Sequence, residues 1–92
     1  MKIAFTKPFK RDYHGLPENI QKQIDEQIMR LLDNPKHLSL RMRKMEGRQT
    51  IWEVRITGGY RMTFQISGDT YLLRRVGTHD KLKIRELNLK SL

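Results

Sequence analysis

The chain has 92 residues, no cysteine, and 19 lysines and arginines against 10 aspartates and glutamates, a formal net charge of +9. That length supports one domain around one core, and without thiols neither a disulfide framework nor a thiolate metal site is available. The charge is lopsided: residues 1–35 carry six basic and five acidic side chains and residues 36–92 thirteen and five, so the second segment holds +8 and points to an anionic partner, nucleic acid being the commonest for a small basic domain.

In chain order, "KIAF" at residues 2–5 is a short apolar run suited to an inner strand. No apolar run is long enough for a secretory signal or a bilayer span, so a cytoplasmic protein without membrane contact is expected. Thr6 is placed to cap a helix beginning "KPFKRDY", with Pro8 in its first turn and Gly15 as a left-handed stop. Pro17 opens a second helix with Glu18 in its first turn, and Asn34-Pro35 ends it. Ile20, Ile24, Ile28, Leu31 and Leu32 fall on one face of that helix, a stripe that reads as core.

Beyond Pro35 the apolar period changes from 3.6 to 2. "LSLRMRKMEGR" alternates Leu38, Leu40 and Met42 with Ser39, Arg41 and Arg43; "TIWEVRI", "YRMTFQI" and "TYLLRRV" follow as further strands. A strand, two helices and three or four consecutive strands predict an α+β fold: an N-terminal strand and helical hairpin packed on one face of a small, largely antiparallel sheet, the other face free for water or a ligand. Residues 1–92 read as a single domain with 81–92 a C-terminal helix or tail, where Ile84, Leu87 and Leu89 would pack on the sheet or meet a partner.

The register of the central hairpin follows from its pattern, because a slip of one residue moves every side chain to the other face. A three-residue loop, Thr57-Gly58-Gly59, pairs Ile56 with Tyr60, Val54 with Met62 and Trp52 with Phe64, which makes one face wholly apolar. The same register sets Arg55 across from Arg61, an unfavourable pairing of like charges, and makes Glu53 a diagonal neighbour of Arg61. At the next turn a Gly68-Asp69 loop adds Arg74 to this face and a Ser67-Gly68-Asp69 loop adds Arg75. Arginine forks match phosphate oxygens in pairs, so the face suits a phosphodiester.

His79 lies in "VGTHD" where the last strand ends, beside that basic face, and is the one side chain type that exchanges protons near neutrality without a perturbed pKa. His14, His37 and His79 are too far apart in sequence for the usual zinc spacing, and no Gly-rich phosphate loop opens a helix. Chemistry on RNA would then need no metal or cofactor. The 2′-hydroxyl is the nucleophile, a general base takes its proton, arginines hold the phosphorane, and a general acid protonates the leaving 5′-oxygen.

"KIAF", a helical hairpin ending at "NP", the basic "RMRKMEG", the block "WEVRITGGYRMTFQI" and "LLRRVGTHD" together resemble, in that order, the RelE/ParE superfamily of toxins from type II toxin–antitoxin pairs. The resemblance covers about residues 2–80. It implies a ribosome-dependent mRNA endonuclease (an mRNA interferase), bound to mRNA and ribosomal RNA in the decoding site and silenced by a small acidic antitoxin in a hetero-oligomer. Carried over by motif, Arg61 would contact the scissile phosphate, Glu53 and Arg55 would serve as base or stabilise the transition state, and His79 would stand near the phosphate. Arg41, Arg43, Lys44 and Arg48 resemble the basic segment that meets ribosomal RNA, with Arg74 and Arg75 added by the strand pattern. Where many ribonuclease members have a tyrosine just beyond the closing motif, this chain reads "KLKIRELNL". A ParE-like gyrase inhibitor and a catalytically inactive binding module are the alternatives within the same superfamily.

Overall fold

Thr6 acts as its position predicts: its hydroxyl accepts the Phe9 N–H at 3.2 Å and starts helix α1, Lys7–His14, directly after strand β1, Lys2–Phe5. These details come from a computed structural model that describes residues 1–45 and 50–82. Gly15 ends α1 with φ −84°, so the left-handed stop is not used. Its N–H is instead shared between the Arg11 and Asp12 carbonyls at 3.2 Å, a tight right-handed finish that needs no positive φ. Pro17 caps α2, Glu18–Asp33, and its carbonyl takes the N–H groups of Ile20 and Gln21 at 3.0 Å.

Ile20, Ile24 and Leu31 of α2 are buried as the stripe requires, but Leu32 is exposed and Gln27 takes a place on the inner face. Ile20, Ile24, Leu31 and Phe9 pack against Val54, Met62, Phe64, Tyr71, Leu73 and Val76 from the sheet and Ile56 just beyond β3. Each such large apolar side chain contributes about 1.5–3 kcal/mol relative to exposure.

The sheet has the order β1-β5-β4-β3-β2, with β1 parallel to β5 and every other pair antiparallel. Strand β2 is Arg43–Met45, β3 Ile51–Arg55, β4 Tyr60–Ser67 and β5 Thr70–Thr78. The strand expected from Leu38 is therefore shortened: residues 38–40 form a 3-10 turn and Arg41 is left-handed at φ 42°. Leu38, which the alternation assigned to the core, is 89% exposed. The turn forms because His37 Nδ1 accepts the Ser39 N–H at 3.1 Å and caps it.

Pairing of Trp52 with Phe64, Val54 with Met62 and Arg55 with Arg61 matches the three-residue loop, and Ile56 N–H reaches Tyr60 O at 3.0 Å. At the second turn Ser67 pairs with Thr70 around Gly68-Asp69, and Gly68 has φ 59°. A bulge then shifts the register, Phe64 facing Leu73 while Thr63 faces Arg75, which leaves Arg74 as the extra residue.

The second sheet face is less open than expected. Glu53, Thr63 and Ile51 are buried there, and Leu82, in the helical residues 79–82, is buried outside the core beneath the helices. Arg48 and the tail residues Ile84, Leu87 and Leu89 lie outside the described residues.

Candidate active site

Glu53 sits mid-strand on β3 with its side chain on the face away from the helices, and is only 4% exposed. One oxygen, Oε1, gathers two guanidinium groups and an imidazole: Arg61 Nε at 3.4 Å, Arg43 Nε at 3.6 Å and His79 Nδ1 at 3.7 Å. Each comes from a different strand or strand end: Arg43 faces Glu53 directly across β2–β3, Arg61 is its diagonal neighbour on β4, and His79 follows β5. Among the described residues neither carboxylate oxygen makes a hydrogen bond, so Glu53 is held by these charge contacts alone.

The hairpin loop holds Arg61 from below. Its Nη1 donates to the carbonyls of Thr57 at 2.5 Å, Tyr60 at 2.9 Å and Gly58 at 3.2 Å, while Thr57 Oγ1 fixes the loop by accepting the Gly59 and Tyr60 N–H groups at 3.2 Å. Arg61 Nη2 makes no hydrogen bond among the described residues. Arg55, directly opposite, has neither a hydrogen bond nor an ion pair at its guanidinium among those residues; a methyl on Gly58 would meet its Nη2 at 3.8 Å. Thus Glu53 and three carbonyls compensate Arg61, whereas among the described residues nothing engages the Arg55 donors.

His79 is half-exposed, but its Nδ1 is buried and makes no hydrogen bond among the described residues. The His79 main-chain N–H donates to Gly59 O at 3.1 Å, so the closing motif is tied to the same loop that grips Arg61. Chemically, the cluster offers a carboxylate able to take a proton, an imidazole able to give one, and guanidinium donors for an anion. No group of three or more histidine, cysteine, aspartate or glutamate residues that could hold a metal ion occurs among the described residues.

Glu53, Arg55, Arg61 and His79 are therefore brought to one place, together with Arg43. Arg41 and Lys44 are exposed along the β2 edge. Arg74 donates to Gln65 Oε1 at 2.6 Å. Arg75 turns away, with Nε and Nη2 on the Asp12 carboxylate at 2.8 and 3.0 Å, and Asp12 also accepts the Val76 N–H at 3.1 Å. Both arginines offered as the third member of the cluster thus have other partners, because the bulge changes what β5 presents.

Two further buried polar side chains are Thr63 and Gln27; the helical spacing, three residues after Ile24 and four before Leu31, is the signal that places Gln27 on the inner face. A groove of about 460 Å³ between β1, α1 and α2, lined by Phe5, Phe9, Tyr13 and Ile28 among others, lies on the helical side, away from this cluster.

Residues 3–82 match the family model described as ParE toxin of type II toxin–antitoxin system. The chain is 33% identical over 79 residues to Toxin RelE3 of Methanocaldococcus jannaschii, covering 83% of this chain and 88% of that protein. Among solved structures, the RelB–RelE antitoxin–toxin complex of Methanococcus jannaschii superposes with a TM-score of 0.72 at 26% identity, covering 89% of this chain and 96% of the other. YafQ from E. coli shares the fold, with a TM-score of 0.74 at 12% identity over 88% of this chain and 96% of its own.

Proposed function

Because the chain belongs to the RelE/ParE superfamily of type II toxin–antitoxin toxins, we propose that it is a ribosome-dependent, metal-independent mRNA endonuclease that stops translation. The observation that supports this most is the gathering of Arg61, Arg43 and His79 around the buried Glu53 carboxylate, with the Arg55 guanidinium making no hydrogen bond or ion pair among the described residues. Glu53 takes the 2′-hydroxyl proton on its carboxylate. The 2′-oxygen attacks the adjacent phosphorus, and Arg61 Nη2 and Arg55 stabilise the extra negative charge of the phosphorane. His79 gives a proton to the departing 5′-oxygen, leaving a 2′,3′-cyclic phosphate and a free 5′-hydroxyl.

The exposed Arg41, Arg43 and Lys44 on the β2 edge supply charge for ribosomal RNA, as Arg48 does by its place in the same basic segment. A small acidic antitoxin silences the protein, which works in the cytoplasm as one domain; no helix among the described residues is long and apolar enough to cross a membrane. The test is induction in cells, growth measurement, and mapping of 5′ ends on cellular mRNA. Cuts confined to translated frames, lost in Glu53→Gln and His79→Ala variants, are the expected result. Gyrase-linked DNA breaks without mRNA cuts would replace this reading with a ParE-like gyrase poison, and absence of toxicity would leave a binding module.

A further inference from the structure

Strand β3 ends at Arg55 on an edge that β2 does not reach. In a longer β2, Arg41 would stand opposite Arg55, two residues beyond the Arg43–Glu53 pair, and its N–H would serve the Arg55 carbonyl. That N–H is already committed to Leu38 O at 3.2 Å by the 3-10 turn. A buried carbonyl without a donor is costly, so something else must serve it.

Gln27 of α2, 4% exposed, does so: its Nε2 donates to Arg55 O at 2.7 Å and to Ser39 O at 3.2 Å. Arg30 Nη1 at 2.8 Å and Ser39 Oγ at 3.5 Å address its Oε1, which fixes the orientation of the amide. One side chain thereby joins α2, the 38–40 turn and the end of β3, using all four of its hydrogen-bonding positions. The next residues after Arg55 are the loop whose Thr57 and Gly58 carbonyls hold Arg61.

We infer that Gln27 is a positioning residue for the Arg55–Arg61 pair: its amide replaces the missing strand partner and sets where the end of β3 holds Arg55 and where the loop that follows it grips Arg61 of β4. As a contributor to cleavage this rests on the nuclease reading above; as a determinant of the arginine geometry it does not. Displacements of about 1 Å in such positioning groups cost up to 10²-fold in rate.

The test uses Gln27→Met, which keeps length and bulk without the donors, and Gln27→Glu, which keeps the shape but presents a carboxylate to two carbonyls. Ser39→Ala, which leaves the amide's bond to Arg55 in place, is the control. In the folded, isotopically labelled full chain, the Arg55 and Arg61 Nε–Hε signals and the Gly58 and Gly59 amides should shift in both Gln27 variants and stay in place in Ser39→Ala. In single-turnover cleavage of mRNA on programmed ribosomes, both variants should lose 10–100-fold in rate at saturation, with the half-saturating concentration within about twofold of the parent. Unshifted hairpin signals, or rates within twofold once folded fraction is measured, would overturn the inference. If the parent does not cut, the nuclease reading fails, and the hairpin signals alone decide for or against Gln27.

Discussion

Replacing Glu53 by Gln removes one charge from the centre of the cluster at nearly constant volume. At 3.4 Å from Arg61 Nε, the pair is worth about 5 kcal/mol of gross attraction at an effective dielectric of about 20, before the desolvation that offsets much of it. Arg43 is 63% exposed at its side chain, so its share is about 0–1 kcal/mol. Arg61 keeps three carbonyl partners in the variant, so its charge is not orphaned, and the loss should fall below the 3–5 kcal/mol typical of a broken buried pair. The expected cost is about 2–3 kcal/mol by urea unfolding, or a Tm lower by about 10–20 °C for a domain of this size. A second substitution isolates the like-charge pair. Arg55→Gln should be near neutral in the parent and stabilising in the Glu53→Gln background, with a coupling of about 1 kcal/mol in the double-mutant cycle. A Glu53→Gln cost under about 0.5 kcal/mol, or additivity within about 0.3 kcal/mol, would refute the view that Glu53 is what makes the opposed arginines tolerable.

Asp12→Asn should cost about 2 kcal/mol in denaturant unfolding, since it disrupts a bidentate pair with Arg75 and the Val76 cap together, while cleavage per folded molecule is unchanged. The Tyr13 hydroxyl is held above its ordinary pKa of 10.0, first by burial and then by its hydrogen bond and charge interaction with Asp25. A raised folded-state value means that stability from this group is fully present below about pH 10 and is lost as pH rises through the folded value; Tyr13→Phe should therefore flatten the alkaline limb of the stability curve relative to the parent, and parallel curves would count against the Tyr13–Asp25 bond. Neutralising Arg41 and Lys44 together should make the salt slope of binding to a single-stranded RNA shallower by about 0.7 for each phosphate no longer neutralised, and an unchanged slope would remove the β2 edge from the RNA surface.

The hairpin was legible because two independent constraints coincide there. Only the three-residue loop keeps Trp52, Val54 and Ile56 on one face with Phe64, Met62 and Tyr60, and that apolar register also dictates the polar one. Alternation failed at Leu38, since a His37 side chain that caps a 3-10 turn competes locally with strand pairing, and hydropathy has no view of that contest. It failed again at Arg74 and Arg75, where a bulge adds a residue and sends one arginine to Asp12, more than sixty positions away in sequence. The role of Gln27 was illegible for a related reason. Its spacing, three residues after Ile24 and four before Leu31, sets it on the inner face, but only the early end of β2 leaves the Arg55 carbonyl that a polar group there can serve. The two failures are linked: the turn that takes Arg41 out of the sheet is what makes Gln27 necessary at Arg55. The opposed arginines thus depend on Glu53 for charge and on α2 for position, and a substitution on the helical side of the sheet can reach the chemistry on the other.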